Sequence, residues 1–576
     1  MNHKKTLIFL LAAIIIGGAA SSCKSQTLDL ENKAAISDES EVTYLHIEDA
    51  ELRKYLKDND YVENPSAIKL SELENYNSFT IDNVDDKYNI KSLNGLEKLE
   101  NIEFLNIINC KIENYDAIGK MDMSTLWITD SPFNDVDLLN NLNHLEELKL
   151  INVGLEKFPK LNLNQLSILK LVENNIKDLS NVKKSNLPQL KELNLAINEI
   201  ENIEALNSLT KLRDLSLSEN KITKISTLED LVKLKDLTLA ENLITDISGL
   251  EKCYWIENLR LSSNNITDLN AFASFTNLAH LDLENNSISD ITPICGLEKL
   301  DSIDLNKNNI SDLTPLMKFK SIGYLNLSNN PINYTITIGD EDTTRHINQL
   351  DISNCNLKTL DFIKNYEIKD ITASKNNLKN LNGIQNIKGL KTLDVSSNHI
   401  SNIDDLEYAE TLNTLYLNEN QLRIGDNEQS ILGNSSLELL NISYNSDAEI
   451  NLVSDNNSFR NLDFLDISGL NISPEMNFKE NLPQIKTLYA ENCSFKSTKG
   501  LECGKNLEMI SLNNSKINDF SFLNRLSFEN LESLSLSNTG LKDLSFLKNS
   551  TKILRDLDIS KNNIIDLKRY MPWLES

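Results

Sequence analysis

Histidine is scarce in this sequence of 576 residues, and the motifs of common catalytic centres are missing. The six histidines are scattered along the chain, at positions 3, 46, 144, 280, 346 and 399. No H-E-x-x-H zinc motif, no G-x-S-x-G nucleophile turn and no phosphate-binding G-x-x-x-x-G-K-S/T loop occurs. We therefore expect a protein that is not an enzyme and that uses no cofactor and no metal.

Positive charge is also in deficit. Lys and Arg number 57 against 85 Asp and Glu, which gives a formal net charge of −28 at pH 7. Such a chain repels duplex nucleic acid rather than gathering it, so nucleic acid is excluded from the expected partners.

Only one long apolar run occurs, over residues 7–20, and it follows Lys4 and Lys5. The run is too short to span a bilayer comfortably, and small residues follow it. Residues 1–22 are therefore predicted to be a secretory signal peptide.

Cys23 comes directly after Ala20-Ser21-Ser22 and resembles the acylated cysteine of bacterial lipoproteins, although Ala20 stands where their lipobox usually has Leu. The resemblance implies an exported protein, anchored to the membrane of the bacterial envelope or cell surface through lipid on Cys23 alone. Ordinary signal cleavage, with Cys23 incidental, is the alternative.

What the chain has in abundance is a repeat. The fragment L-x-L-x-x-N-x-I places Asn at 198, 220, 242, 264, 286, 308 and 330, in six steps of 22 residues. Looser copies bring the number to 21, with the same column at 110, 131, 153, 174, 355, 376, 398, 420, 445, 470, 493, 515, 539 and 562. A fixed period of this length predicts stacked coils that bury one another's apolar faces.

The letters of one coil predict its local structure. Leu215 and Leu217 alternate with Ser216, which indicates a short strand with both leucines pointing inward. Asn220 and its equivalents are predicted to form a buried ladder, because a side-chain amide both donates to and accepts from backbone groups. Apolar residues at intervals of three, over 222–234, predict a tight 3-10 or extended return.

With this pattern the chain resembles the leucine-rich repeat proteins, and its 22-residue unit with I-x-D-I-S-x-L is similar to the bacterial internalin type. The resemblance implies an α/β solenoid, a horseshoe with a parallel β-sheet on its concave face and 3-10 or extended segments on its convex side. It also implies a protein that binds other macromolecules and has no activity of its own.

The repeat also predicts the domain organisation. A tether over 23–41 precedes an N-terminal helical cap over 42–79, in which Ile47, Leu52, Tyr55 and Leu56 make an amphipathic stripe. The leucine-rich repeat domain covers 80–576, with about 21–22 repeats and a C-terminal cap at 565–576. The register separates the six cysteines after Cys23, so we expect no disulfide.

Candidate binding residues are those that the register turns towards the concave face. The early coils place apolar residues there, namely Phe104, Ile108, Trp127, Ile151, Ile168, Val172 and Ile197. Apolar side chains gathered on one surface commonly mark an interaction site. The alternatives are that the cap or tether covers them, or that the irregular early coils have a different register.

Two weaker candidates follow along the same face. Late in the chain, aromatic residues occupy these columns at Tyr416, Tyr444, Phe464 and Tyr489. Between the two groups lies an acidic stretch of Asp282, Glu284, Asp304, Asp351 and Asp394, which either meets a basic partner or is a solvated face.

Three functions are compatible with these observations. The first is a surface lipoprotein that binds a protein partner, with a host surface protein and an internalin-like adhesin role implied by the resemblance. The second is an envelope scaffold or carbohydrate-binding module. The third is a cytoplasmic regulator like the leucine-rich-repeat subunits of phosphatases, which requires that residues 1–22 are not a signal.

Overall fold

The computed structural model describes residues 42–83, 85–333, 345–363, 366–422, 436–445, 449–450, 459–549 and 554–564. The chain divides into two compact units, residues 1–44 and 45–576, and only residues 42–44 of the first are described. Four predictions lie outside the described residues, namely the signal peptide over 1–22, the lipidated Cys23, the tether over 23–41 and the cap over 565–576. No described helix has the length and apolar character needed to cross a membrane.

The coils each contribute one strand to a large sheet, and five further short strands lie outside it. Their bounds are β1 Tyr44–Leu45, β2 Ile68–Lys69, β3 Ser78–Asp82, β4 Phe104–Ile108, β5 Thr125–Thr129, β6 Glu147–Ile151, β7 Ile168–Lys170, β8 Glu192–Asn194, β9 Asp214–Ser216, β10 Asp236–Thr238, β11 Asn258–Arg260, β12 His280–Asp282, β13 Ser302–Asp304, β14 Ser321–Asn326, β15 Arg345–Asp351, β16 Tyr366–Thr372, β17 Thr392–Asp394, β18 Thr414–Tyr416, β19 Leu439–Asn441, β20 Glu449–Ile450, β21 Phe464–Asp466, β22 Asn471–Ile472, β23 Thr487–Tyr489, β24 Ser494–Phe495, β25 Met509–Ser511, β26 Ser533–Ser535 and β27 Asp556–Asp558.

Among the described residues, 22 of these strands form one parallel sheet that runs from β3 to β27. The register repeats from coil to coil, with Leu215 opposite Leu237 and Leu237 opposite Leu259. No described pairing joins β27 back to β3, so the sheet is an open solenoid wall and not a closed barrel. Five short strands lie outside this sheet, and three of them, β20, β22 and β24, form a separate parallel sheet.

Short helices fill the other side of the coils. The α-helices are α1 Ala50–Asp58, α2 Leu70–Leu73 and α3 Phe478–Asn481. The 3-10 helices are Leu96–Lys98, Ile118–Lys120, Val136–Asn141, Val182–Lys184, Glu204–Ser208, Ser226–Asp230, Ser248–Leu250, Asn270–Ser274, Thr292–Ile294, Thr314–Lys318, Asp361–Ile363, Ile384–Asn386, Asp404–Tyr408, Ser521–Arg525 and Ser545–Asn549. The predicted architecture, a leucine-lined parallel sheet with 3-10 returns, is confirmed.

The helix α1 lies beside the first strand of the large sheet. It begins after Asp49, whose carboxylate accepts the Leu52 N–H at 3.0 Å. It buries the apolar stripe of Leu52, Tyr55 and Leu56. The Tyr55 hydroxyl donates to the Thr80 carbonyl at 3.1 Å, so the helix covers the β3 edge of the sheet.

The core consists of the residues that the repeat predicts to be apolar. In the coil of β9, the return residues Ile222, Ile225, Leu228, Leu231 and Leu234 are all buried, as are both strand leucines. Burial of apolar surface at each coil boundary stabilises the stack, since one coil alone leaves its apolar face in water.

The asparagine ladder connects each coil to the one before it. Asn220 Oδ1 accepts the Ile200 N–H at 2.9 Å, and Asn220 Nδ2 donates to the Leu195 and Leu217 carbonyls at 3.0 Å each. The Leu195 carbonyl also accepts from Asn198 Nδ2 at 3.0 Å. Two asparagines of successive coils therefore share one buried carbonyl.

Where the column lacks Asn, Ser or Cys side chains make hydrogen bonds to the backbone instead. Ser131 Oγ accepts the Cys110 N–H at 2.8 Å, and the Cys355 thiol donates to the Leu327 carbonyl at 3.1 Å. The six cysteines of the described residues are all buried and free, and burial raises the pKa of the Cys110 and Cys355 thiols to about 12. A thiol with such a pKa stays protonated at neutral pH.

Candidate functional site

Four columns of side chains line the concave face, and the coil of β9 defines them. The first column holds Asp214, just before the first strand leucine, and the second holds Ser216, between the two leucines. The third holds Ser218. The fourth holds Glu219, whose φ of 53° lies in the left-handed region.

Four of the five residues of the acidic stretch occupy the second column and are bonded to their own backbone, whereas Glu284 stands in the third column. The carboxylates of Asp282, Asp304, Asp351 and Asp394 each accept the backbone N–H two residues further on, at 2.9 or 3.0 Å. This hydrogen bond caps the end of each strand. Burial also raises the pKa of Asp304. The acidic column is therefore in large part a structural feature of the coils.

Two carboxylates of the first column lie side by side on β9 and β10. Asp214 pairs in register with Asp236, and Asn258 Nδ2 donates to Asp236 Oδ1. Burial, together with the hydrogen bond and charge of Asp236, raises the pKa of Asp214 to about 6. Below about pH 6 the pair therefore holds a proton, whereas at neutral pH both carboxyl groups are largely ionised.

A shallow groove of about 580 Å³ lies over the middle strands. Arg260, His280, Asp282 and Tyr324 line it, with the strand backbone as its floor. Its lining offers both hydrogen-bonding groups and apolar contact. Within the described residues, no group of three His, Cys, Asp or Glu side chains is placed to hold a metal ion.

The early strands differ, and we call their apolar residues the N-terminal patch. Its members are Phe104, Ile108, Trp127, Ile151, Ile168, Val172 and Ile197. Phe104 and Ile168 stand in the first column, Trp127 in the second, and Ile108, Ile151 and Val172 in the third. All seven are half-buried, so each keeps part of its apolar surface available to a partner.

Trp127 is the centre of this patch and is held by its neighbours. The Phe104 ring meets its ring edge-to-face, with the centroids 4.9 Å apart. The indole N–H donates to Glu147 Oε1 at 3.2 Å, and Lys149 Nζ lies 3.3 Å from the ring centroid. These contacts fix the indole before any partner arrives, which lowers the entropy cost of binding.

Lys149 is the residue that sequence reasoning missed. It lies between the two leucines of β6, its Nζ is 2.8 Å from Glu147 Oε1, and it is buried although it points to the concave face. Burial lowers the pKa of Lys149, and the hydrogen bond with Glu147 opposes this shift. On the next strand Lys170 pairs with Glu192 at 2.6 Å. The signal was present in the sequence as L-K-L in two successive coils.

The contacts found for Trp127 come from the neighbouring strands. Among the described residues, no hydrogen bond or ring contact joins Trp127 to the cap helix α1, whose Tyr55 hydroxyl bonds to β3 instead. The early coils keep the predicted register, since Leu105 pairs with Leu126 and Leu126 with Leu148.

Ile197 stands in the fourth column with φ of 58°, and it is the one β-branched residue with positive φ among the described residues. Its N–H donates to the Ser218 carbonyl at 2.9 Å, so the neighbouring coil holds this conformation. A β-branched side chain in the left-handed region is strained. A strained apolar residue at the rim of the patch is compatible with a role in binding.

We expect Ile197→Asn to raise the free energy of unfolding by about 1 kcal/mol, because Asn tolerates positive φ. Urea unfolding followed by circular dichroism measures the change. Glu219→Asn, in the same column of the next coil, is the control and should change stability by less than about 0.5 kcal/mol. A destabilised Ile197→Asn variant would show that packing of the Ile197 side chain outweighs the backbone strain.

A second group, which we call the C-terminal patch, contains Tyr416, Tyr444, Phe464 and Tyr489. The Phe464 and Tyr489 rings lie 5.7 Å apart, and the Tyr489 hydroxyl contacts Met509 Sδ at 3.0 Å. Tyr416 and Tyr489 share the second column, whereas Tyr444 occupies the fourth, with φ of 53° and 50% exposure. The sequence predicted all four on the columns of the concave face, and the structure distributes them over three columns, with Phe464 in the first.

These coils, with their leucine-lined parallel strands and asparagine ladder, define a leucine-rich-repeat solenoid. The family model described as leucine rich repeats (2 copies) matches residues 210–252 and again residues 255–297. A second family model, described as leucine rich repeat, matches residues 164–222. The fold of the chain is thus that of leucine-rich-repeat proteins.

Solved structures with a similar fold come from several sources. A structure of TLR13 in complex with ssRNA13 has a TM-score of 0.59 and 19% identity, and the match covers 88% of this chain and 84% of that one. A leucine-rich-repeat protein of Leptospira interrogans has a TM-score of 0.48 and 23% identity, with 77% and 98% covered. An internalin (inlF) of Listeria monocytogenes has a TM-score of 0.38 and 24% identity, with 73% and 95% covered. The comparison with curated proteins found no match.

Proposed function

We propose that this chain is a non-enzymatic, protein-binding solenoid, displayed on the bacterial cell envelope as a lipoprotein, and that the N-terminal patch binds its partner. The observation that carries the proposal is the pre-ordered Trp127, clamped by Phe104, Glu147 and Lys149 among half-buried aliphatic residues. Aromatic anchors that are rigid before binding are typical of interface hot spots.

The chemistry of the patch favours a protein over other partners. Lys149 and Lys170 are already paired with Glu147 and Glu192, so few free positive charges remain for a polyanion. Nucleic acid is also disfavoured by the net charge of −28. Apolar side chains beside bonded charges match the apolar core and polar rim of a protein interface. An adhesin that binds a host surface protein is the specific form that we propose.

Envelope display is supported by the sequence at the N-terminus. The apolar run at 7–20 and the cysteine at position 23 together have the features of a lipoprotein signal. An envelope scaffold or carbohydrate-binding module would use the polar groove around Arg260 and Tyr324 rather than the N-terminal patch. Variants in the N-terminal patch therefore distinguish protein binding from the scaffold or carbohydrate-binding function, because only protein binding depends on that patch.

We expect cells that express the chain to incorporate radiolabelled palmitate into it, and Cys23→Ala to abolish the label, because the thiol is the acylated atom. Ser22→Ala is the matched control and should keep the label. Labelling that is equal in the wild type and in Cys23→Ala would contradict the lipid anchor. A wild-type chain that is unlabelled and remains in the cytoplasm would favour the third function, a cytoplasmic regulator like the leucine-rich-repeat subunits of phosphatases.

Partner capture tests the binding function itself. Purified wild-type protein, coupled to beads, is exposed to intact envelopes and to host-cell surface extracts, and the bound protein is identified after crosslinking. The affinity of that purified partner is then compared between the wild type and variants of Trp127 and Ile151. A captured polysaccharide, with no protein component, would support the carbohydrate-binding alternative instead.

A further inference from the structure

The third column of the early strands is a stripe of apolar and small residues, which we call the third-column stripe. Its members on β4 to β8 are Ile108, Thr129, Ile151, Val172 and Ala196. All of them are half-buried, and Trp127 stands beside them in the second column. Because neighbouring strands lie about 4.8 Å apart, a stripe across five strands is about 19 Å long. A helix of about 13 residues has the same length.

The hydrogen-bond donors next to the third-column stripe are engaged within the chain. Asn109 Nδ2 donates to the Asn83 carbonyl at 2.8 Å, and in the same column Asn152 Nδ2 donates to Asp130 Oδ1 at 2.7 Å. The indole N–H and the two lysines of the second column are bonded to glutamates. An extended segment of a partner would lay its backbone carbonyls here with few donors to meet them, which costs free energy. A helix satisfies its own backbone groups and presents only side chains.

Negative charge is left over along the same stripe. The charged residues in the four columns of β4 to β8 are Glu147, Lys149, Lys170, Glu192, Asp130 and Glu173. Each of the two lysines is paired with a glutamate of the first column. Asp130 and Glu173 stand in the fourth column, next to the stripe, and neither pairs with a lysine or arginine of the described residues. Two carboxylates are therefore available to a basic partner.

The charges around this face do not reverse the excess. The residues directly before the five strands are Glu103, Ser124, Glu146, Ser167 and Lys191. The five residues beyond each fourth-column position include three lysines and six carboxylates, namely Lys111, Lys157, Lys177, Glu113, Asp135, Glu156, Asp178, Glu199 and Glu201. The face and both of its rims are thus acidic, and complementarity of charge favours a basic partner.

The two carboxylates are close enough to affect one another. Burial, and after it the negative charge of Asp130, raises the pKa of Glu173. A partner cation that lies beside both carboxylates would relieve this repulsion. The position therefore suits a Lys or Arg side chain better than a neutral one.

We propose that the N-terminal patch binds an amphipathic helix of its protein partner, which lies along the third-column stripe with Lys or Arg side chains beside Asp130 and Glu173. The inference rests on the proposed function, because it takes the N-terminal patch as the contact surface, and it adds the shape and charge of what binds there. One helical turn rises about 5.4 Å, close to the spacing of the strands, so apolar side chains three and four residues apart meet successive strands. Trp127 contacts the flank of the helix that faces away from the carboxylates, since the second and fourth columns lie on opposite sides of the stripe.

The test selects binders of the full chain from two phage-displayed libraries with equal numbers of randomised positions. One library carries these positions on the outer face of a stable helical hairpin, and the other carries them in a linear segment of 14 residues. Binders that Trp127→Ala weakens are taken as directed to the N-terminal patch. We expect at least about tenfold more of them from the helical library, because a preformed helix avoids the entropy cost of ordering. We also expect Lys and Arg to concentrate on one flank of their apolar stripe.

A charge-neutral variant tests the two carboxylates. For the selected helical binders, Asp130→Asn with Glu173→Gln should raise the dissociation constant at least about tenfold and weaken its dependence on salt. The circular dichroism spectrum and the urea midpoint should stay unchanged, since both substitutions keep the size of the side chain. The matched control is Glu241→Gln with Glu419→Gln, which removes the same charge from the fourth column of other coils and should bind as the wild type does.

The results that overturn this proposal differ from those that overturn the proposed function. Binders to the N-terminal patch that come equally from the linear library, or from neither library, would remove the helix. A dissociation constant that the two carboxylate substitutions leave unchanged, or that the control raises equally, would remove the role of charge. If the captured natural partner depends on Trp127 but not on Asp130 and Glu173, the proposed function stands and this proposal fails. Partner binding that is independent of Trp127 would remove both.

Discussion

Replacing Asn220 with alanine is expected to lower the free energy of unfolding by about 2 kcal/mol, within a range of about 1–3 kcal/mol. The variant removes the acceptor of the buried Ile200 N–H and the donor to three carbonyls, of which that of Ser218 keeps its bond from the Ile197 N–H. The Leu195 carbonyl keeps its bond from Asn198, and the Leu217 carbonyl keeps its bond from Asn242. The Ile200 N–H is therefore the group that loses its only ladder partner, which limits the loss.

The matched control is Ser218→Ala in the same coil. The Ser218 hydroxyl is buried and makes no hydrogen bond, so its removal should leave stability unchanged within about 0.5 kcal/mol or raise it slightly. Urea midpoints measured by circular dichroism give the comparison, because long repeat arrays need not unfold in two states. Equal losses in the two variants would contradict the assignment of the ladder.

The double variant Trp127→Ala with Ile151→Ala is expected to weaken partner binding by at least about 100-fold. Trp127 alone should account for about 2 kcal/mol, since it is the pre-ordered aromatic anchor of the patch. Both side chains are half-buried on the concave face, so we expect the free energy of unfolding to fall by no more than about 2 kcal/mol. The dissociation constant of the captured partner and the urea midpoint measure the two effects separately.

Tyr416→Ala with Tyr489→Ala is the control for this prediction, because both residues stand half-buried in the second column of later strands. This control should bind the partner as the wild type does. If the control loses binding while the Trp127 variant keeps it, the site is the C-terminal patch. If neither folded variant loses binding, the partner does not use the aromatic residues of the concave face.

The sequence predicts the fold well because every coil repeats the evidence. Leu215, Asn220 and Ile222 have counterparts in neighbouring coils, so an error in one copy is corrected by the others. Their burial follows from the period alone. The structure also explains the acidic residues at the strand ends. Asp282 and Asp304 each accept the backbone N–H two residues further on.

The site is harder to predict because it depends on residues that do not repeat. The order of Trp127 results from Phe104, Glu147 and Lys149 on neighbouring strands, and a single coil contains none of these contacts. Burial of Lys149 opposes the usual preference of lysine for water, so composition predicts it as exposed. Tyr444 lies in a coil that is longer than 22 residues, so the sequence alone does not determine which column of the concave face it occupies.

Because the ladder bonds join only neighbouring coils, the chain can change in length by whole coils during evolution. All the side-chain bonds of Asn220 end within its own coil or the preceding one, at separations of at most 25 residues. A whole coil gained or lost in register would therefore find equivalent partners on both sides. The number of copies is open to duplication and deletion in the gene, whereas partial copies would break the column and be removed.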